Sequence, residues 1–221
     1  MEKLTMHRHI LVLGGTSPTG IDFCLAALRD GHELTLYARN PSKIPPEIAD
    51  QANVVVGALT DAAKVETAVA SGAKTCVSFL GPVQGMTKGC TPVTDGYRVI
   101  LPLLEKHRYE RNLFLSTASY HDPADAFSFT FLTLIWMIWL FAHPAYVEIN
   151  AMNTEFVNLP DRMKWTVYRV PILRSGEPKP IMAGMIGQTG MFLERKGLAE
   201  WLLKEMEEDK WVGKCPAVSN A

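Results

Sequence analysis

The sequence has no excess of charge: 22 lysines and arginines face 23 acids, for a formal net charge of -1. A balance this even argues against the basic footprint of a nucleic-acid binder and gives no pull toward an anionic membrane. Cysteine is scarce too. Cys24, Cys76, Cys90 and Cys215 are scattered, with no C-x-x-C pair and no cluster with histidine. That pattern excludes a disulfide framework and a zinc site. The opening "MEKLTMHRHILVLGG" lacks the apolar region and cleavage site of a leader, so a reducing, cytoplasmic setting is expected. There is no internal repeat and no low-complexity tract. What remains, in 221 residues that are 48% hydrophobic and 20% charged, is an ordinary globular balance suited to small-molecule chemistry.

The apolar pattern sets the architecture. "HILVL" at His9 to Leu13 is a short apolar run ending at glycines, as a strand buried on both faces does. Thr19 to Asp30 carries Ile21, Cys24, Leu25 and Leu28 at helical spacing, with Gly31 as the stop. Strands "ELTLYAR", "NVVVGAL", "TCVSFLG" and "NLFLSTA" follow, separated by the break "NPSKIPP" and by helices predicted over Asp61 to Ala70 and Thr94 to Lys106. Alternation at this spacing predicts an α/β fold with a doubly wound parallel sheet. A helix over Ala145 to Leu159, a sixth strand "KWTVYRVPIL" stopping at Pro171, a terminal helix within "GMFLERKGLAEWLLKEMEE" and a last short strand "KWVGK" complete the reading. Residues 1–122 are expected to form the dinucleotide-binding core. Residues 123–221 are expected to add a small C-terminal substrate lobe and the last strands, all within one domain.

The turn "VLGGTSPTG" carries the first chemistry. A strand-to-helix turn that presents backbone amides to a pyrophosphate must keep side chains out of the way. Gly14 serves the tight turn and Gly20 the close packing of helix on strand. Ser17 stands where a middle glycine is expected; it is tolerable with ordinary backbone angles, and its hydroxyl, like those of Thr16 and Thr19, can then donate to phosphate. The plain alternative is a strand-helix turn with no ligand. The second strand ends "YARNPSK", with Arg39 and Lys43 and no acid to meet two free ribose hydroxyls. Arg39 can pair with a 2'-phosphate, with Ser42 and Lys43 adding donors, so NADPH is preferred over NADH. Solvated surface cations are the plain reading of the same residues.

With "GGTSPTG", "ARNPSK", "GALTDA", "SFLG", "LSTASY" and "WTVYRVP" in this order, the chain resembles the atypical short-chain dehydrogenase/reductases. The similarity is to their NmrA-like and biliverdin-IX-beta-reductase-like members. The resemblance implies a Rossmann fold binding NADP(H), with Gly14, Thr16, Ser17, Pro18, Thr19 and Gly20 at the pyrophosphate and Arg39 at the 2'-phosphate. It further implies Ala58 and Leu59 at the adenine, Leu80 and Gly81 on the nicotinamide-ribose side, and Pro171 and Ile172 facing the nicotinamide. Ser116 and Thr117, at the end of the fifth strand, join the cofactor set. Ala58 stands where an aspartate is frequent.

The chemical end departs from the superfamily. Its best-known members use Tyr-x-x-x-Lys, in which lysine lowers the tyrosine pKa. No tyrosine here has a lysine at +4. The usual serine or threonine falls near Ala118, with Thr117 or Ser119 one residue away. A conjugated acceptor can take its proton from water or a nearby hydroxyl, so Ser119, Tyr120 and His121 become the catalytic candidates at the carboxyl edge of the sheet. For His121 the alternative is a loop residue bonded to Asp122.

"FSFTFLTLIWMIWLFA", residues 127–142, has no charge and holds six of the chain's fourteen Phe and Trp. At about 1.5 Å per residue it makes a helix of roughly 24 Å, short of the roughly 30 Å hydrocarbon core, which argues against a transmembrane span. It reads as a core helix, as a cap over an aromatic substrate through Trp136 and Trp139, or as a dimer or membrane-surface patch. In "YVEINAMNTEF", Tyr146 and Asn150 are candidate substrate contacts, against the plain reading that Glu148, Asn150, Asn153 and Glu155 line a solvated face. The expectation is an NADPH-dependent oxidoreductase for a hydrophobic, aromatic or conjugated carbonyl or enone. The rivals are a non-redox isomerase, dehydratase or cyclase on the same fold, and a non-catalytic NADP(H) sensor.

Overall fold

The computed structural model describes residues 7–82 and 87–221. Its strands are β1 (His9–Leu13), β2 (Glu33–Ala38), β3 (Asn53–Val56), β4 (Thr75–Ser78), β5 (Arg111–Thr117), β6 (Trp165–Val170), β7 (Ile172–Arg174), β8 (Ile181–Gly184), β9 (Phe192–Glu194) and β10 (Ala217–Asn220). Its helices are α1 (Pro18–Arg29), α2 (Pro46–Ala49), α3 (Ala62–Val69), α4 (Pro92–Lys106), α5 (Phe129–Phe141), α6 (His143–Val157) and α7 (Arg195–Glu208). Residues 1–6, part of the stretch read as leaderless, and residues 83–86, part of the glycine-rich stretch between the fourth strand and the next helix in the sequence, lie outside the described residues.

Eight strands form one sheet in the order β3-β2-β1-β4-β5-β6-β10-β8. The pairs from β3 to β10 are parallel, and only the edge strand β8 runs antiparallel, against β10. The first six strands have the Rossmann order, in which the topology reverses between β1 and β4 and opens a crevice at their carboxyl ends. β1 is apolar throughout because both its faces are covered. Ile10 and Val12 pack with Phe23 and Ala27 of α1 and Leu198 and Leu202 of α7. Leu11 and Leu13 face the other way, into the cluster that holds Val65 of α3, Ile100 of α4 and Met152 of α6.

The second half departs from the sequence reading at several places. β6, β10 and β8 extend the main sheet, and β7 pairs only with β9 in a separate parallel ladder. "KWVGK" is not the last strand: residues 210–213 form a turn, Gly213 has φ +69°, and Lys214 makes one isolated bridge to Thr166. The last strand is β10. The break "NPSKIPP" contains a 3₁₀ turn, Pro41–Lys43, and leads into the one-turn helix α2. Among polar positions on α6, Glu148 and Asn153 are fully buried, so these two do not lie on a solvated face. The Glu148 carboxylate accepts from the Thr94 amide at 2.7 Å and from the Thr94 hydroxyl at 2.5 Å. It thereby caps the N-terminus of α4, whose own Thr91 makes no side-chain cap.

α5 is the larger correction. Only Phe131 of this helix is buried, whereas Phe129, Leu132, Trp136, Met137, Trp139, Leu140 and Phe141 are exposed. It is therefore a surface helix and not a core one.

Cys24, Cys76 and Cys215 are buried, and burial pushes all three thiols up, Cys24 and Cys215 to about 12. Cys90 is exposed. Since the thiolate is the nucleophile, a native-state thiol titration with an aromatic disulfide reagent is expected to modify one cysteine per chain quickly and four after unfolding. Fast modification of a second thiol would contradict this packing.

Candidate cofactor and substrate cleft

The turn between β1 and α1 is closed by glycines that leave no room for side chains. Gly14 has φ +75°, and a Cβ there would stand 2.9 Å from the Phe79 carbonyl carbon of β4's continuation. A Cβ on Gly20 would stand 2.5 Å from the Gly14 oxygen. Ser17 has ordinary angles, φ -79° and ψ 155°, and serves as the N-cap of α1. Its hydroxyl accepts from the Gly20 amide at 3.1 Å and donates to the Gly14 carbonyl at 2.9 Å. The proton expected to reach a phosphate is thus committed to the turn itself. A serine here gives the helix a cap that glycine lacks. Pro18 sits in the first turn of the helix, where its missing N–H costs nothing. The Thr16 and Thr19 amides make no hydrogen bond among the described residues, so the helix N-terminus keeps donors for an anion. The cradle fits a pyrophosphate.

At the carboxyl end of β2, Arg39, Ser42 and Lys43 are exposed. Neither cation is in an ion pair among the described residues. Asn40 organises this corner, its side-chain oxygen accepting from the Ser42 amide at 3.2 Å and the Ser42 hydroxyl at 2.7 Å. Tyr37 donates to the Ala58 carbonyl at 2.7 Å, which ties the end of β3 to β2. Leu59 packs against Gly96 of α4, where any Cβ would meet it at 2.6 Å. Leu80 and Gly81 follow β4, held by the Leu80 amide donating to the Ser78 hydroxyl at 3.3 Å.

Residues at the end of β5 separate into two groups. Ser116 is fully buried and accepts from the Asn153 side chain at 2.7 Å, so its hydroxyl belongs to the packing of α6 on the sheet. Thr117 is half-buried, and its hydroxyl accepts from the Ser119 amide at 3.2 Å. Ser119 is 4% exposed, and its hydroxyl is buried without a hydrogen-bond partner among the described residues. Asn150 donates to the Ser119 carbonyl at 3.2 Å and to the Tyr146 carbonyl at 2.9 Å, so it anchors the loop. Tyr120 is half-buried; burial first, and then nearby Cys215 and Asp122, raise its phenol. His121 is 80% exposed at its side chain and lies 3.4 Å from Asp125, not paired with Asp122.

One feature of this loop had no counterpart in the motif reading. Arg169 of β6 is buried and forms two hydrogen bonds to Asp125, at 2.6 and 2.7 Å, while also donating to the Tyr120 and Cys215 carbonyls. Asp125 further accepts from the Asp122 and Ile186 amides. The loop that carries Ser119 and Tyr120 is thereby clamped to the sheet. Burial pushes the Asp125 carboxyl up, but the hydrogen bonds and charge of Arg169 and the two amides outweigh it, and the net shift is downward.

Beyond the ends of β5 and β6 lies a narrow cleft, too tight in this structure to admit a water molecule, bordered by Ala118, Phe131, Pro171, Thr189, Gly190 and Ala217. Ile172, beside it, is 45% exposed. The Thr189 hydroxyl is buried and has no partner among the described residues, a polar position that no sequence motif marks. Phe131, from the inner side of α5, packs with Ala118, Ile186 and Ala217. Trp136 and Trp139 are 66% and 48% exposed on the outer side of the same helix, away from this cluster, so the aromatic wall of the cleft comes from Phe131 instead. Tyr146 stacks on His143 at the α5–α6 corner, with ring centroids 6.3 Å apart.

A family model described as NAD(P)H-binding matches residues 14–209. Among solved structures, the oxidoreductase ylbE from Lactococcus lactis superposes with a TM-score of 0.75 at 16% identity, covering 96% of this chain and 91% of that one. ChuY, an anaerobillin reductase from Escherichia coli O157:H7, gives 0.77 at 14% identity, covering 96% and 97%. A putative epimerase from Bacteroides thetaiotaomicron gives 0.73 at 17% identity, covering 97% and 98%. At these identities the likeness establishes the fold.

Proposed function

From the premise that the chain belongs to the NAD(P)H-binding family, within the atypical short-chain dehydrogenase/reductases, we propose that it is an NADPH-dependent reductase of a hydrophobic, aromatic or conjugated carbonyl or enone. The observation that carries this reading is the glycine cradle between β1 and α1, closed to side chains at Gly14 and Gly20, with Arg39 and Lys43 exposed at the end of β2. The apolar residues Ala118, Phe131 and Pro171 at the ends of β5 and β6 would meet a flat apolar acceptor if the narrow cleft between them opened. A dihydronicotinamide held here would supply a hydride, and the acceptor would take one proton from solvent or a neighbouring hydroxyl. Ser119 and Thr189 carry hydroxyls unpartnered among the described residues, at the loop and the cleft, and they would orient the acceptor oxygen. Burial raises the Tyr120 phenol, so it would stay protonated and offer the acceptor a hydrogen bond more readily than its proton. His121 would stand outside this arrangement because it faces solvent beside Asp125.

Arg39 and Lys43 would hold the 2'-phosphate, and ChuY, an anaerobillin reductase, supports redox chemistry on this fold. A second reading, a non-redox isomerase on the same fold, is favoured by the structural match to the putative epimerase from Bacteroides thetaiotaomicron. The test is a fluorescence titration with NADPH and NADH, followed by addition of quinones, flavins and enones while the nicotinamide absorbance is recorded. Oxidation of NADPH by at least one acceptor class is expected. Binding without oxidation of NADPH by any of them would replace the reductase with the non-redox or sensor reading.

A further inference from the structure

α5 is apolar on every side, yet only one side is covered. Phe131 is buried, and Leu134, Ile135 and Ile138 are half-buried, on the inner side. Phe129, Leu132, Trp136, Trp139 and Leu140 are exposed along the outer side, at spacings of three and four residues. That spacing is the seam of a helix that packs on another helix. A helix apolar all round belongs in a protein interior or in lipid, so the outer stripe calls for a cover.

Two observations choose the cover. The first is area. Phe127, Phe129, Trp136, Trp139 and Phe141 are 48–81% exposed. At roughly 150–250 Å² per aromatic side chain they offer about 700 Å². The neighbouring Leu132, Met137 and Leu140 bring this to the roughly 800 Å² per partner of a stable interface, above the largest patch of an ordinary monomer. The second is charge. Between Arg111 and Arg162 the sequence has no lysine or arginine, while Asp122, Glu155 and Asp161, none of them buried, fall in that interval. Helices that lie on membranes are flanked by cations that meet anionic headgroups. This one is not. The stripe also carries no unsatisfied polar group at Thr133, whose hydroxyl donates to the Phe129 carbonyl at 2.9 Å.

We infer that the outer stripe of α5 is the seam of a homodimer, in which two copies of the helix pack across a two-fold axis. An uncharged stripe is self-complementary, as a two-fold interface requires. This goes beyond the proposed chemistry, because it holds whatever the reaction is. It also bears on the site, since the inner side of α5 presents Phe131 to the cleft, and a partner on the outer side would hold that wall in place.

The test is sedimentation equilibrium of the full chain at micromolar concentration, with and without NADPH. The wild-type protein is expected to sediment as a dimer. The double variant Phe129→Glu, Leu140→Glu is expected to raise the dissociation constant by more than about 100-fold, as like charges facing across a seam do. Far-ultraviolet circular dichroism then reads whether it remains folded. If the variant does not fold, the wild-type measurement decides alone. A wild-type monomer across the micromolar range overturns the dimer. So does flotation of monomeric protein with phosphatidylcholine vesicles, which would assign the stripe to lipid, or a charged double variant that stays folded and dimeric.

Discussion

Asp125→Ala is expected to lower unfolding stability by about 3–5 kcal/mol, because it leaves Arg169 buried with an unpaired charge. The Arg169 side chain is 0% exposed and that of Asp125 3%, so water cannot replace the lost partner. In a chain of this size that loss corresponds to a fall in melting temperature on the order of 10 °C. Urea denaturation of the two proteins measures it directly. A loss below about 1 kcal/mol would mean that the pair behaves like an exposed one. Asp125→Asn keeps part of the hydrogen bonding and removes the charge, so it should fall between wild type and alanine. The consequence reaches the site: Arg169 also holds the Tyr120 carbonyl, so the loop carrying Ser119 and Tyr120 should loosen before the rest of the sheet unfolds.

The same pair gives a pH dependence of definite sign. Asp125 titrates lower in the folded protein than its ordinary value. Its stabilisation is therefore fully present above the unfolded aspartate value of about 4 and is lost as pH falls through the lower folded value. Asp125→Asn should flatten the acid limb of the stability profile and leave the neutral limb parallel to wild type. Equal acid slopes in the two proteins would show that other carboxylates govern acid unfolding.

The sheet was legible because its signal is local. Five-residue runs such as "HILVL" alternate two apolar faces, and glycines mark their ends, so β1 to β6 and the helices α1, α3, α4 and α6 follow from the chain alone. The turn at Gly14 to Gly20 was legible in position, but not in the role of Ser17, because a cap bond and a phosphate bond use the same hydroxyl. Misreadings arose where burial depends on distant partners. α5 is as apolar as a core helix, and nothing in its own residues tells which side is covered. Glu148 and Asn153 look like a solvated face until α4 and β5 are placed beside them. "KWVGK" has the composition of a strand, but Gly213 turns the chain and Thr166 takes only one bridge. One signal for the clamp was present: Arg169 lies inside the buried strand "WTVYRV", and a guanidinium in such a place requires a carboxylate. Asp125 could have been sought on that ground.

Arg39→Ala is expected to weaken NADPH binding roughly 10- to 100-fold and to leave NADH binding nearly unchanged, the effect of removing a charged hydrogen-bonding partner from a phosphate. Arg39 is exposed and has no ion pair among the described residues, so the substitution breaks nothing in the folded protein. Its cost should appear in affinity and not in stability, which separates it cleanly from Asp125→Ala. Because the site is open to solvent, the difference between wild type and variant should shrink as salt is raised. Lys43→Ala should act in the same direction and less strongly, since an ammonium makes no bidentate pair. Fluorescence titration of each variant with both cofactors reads the result. Should Arg39→Ala keep the full preference for NADPH, the 2'-phosphate would have to be held elsewhere. Should wild type bind both cofactors alike, the missing acid at the end of β2 would carry no specificity at all.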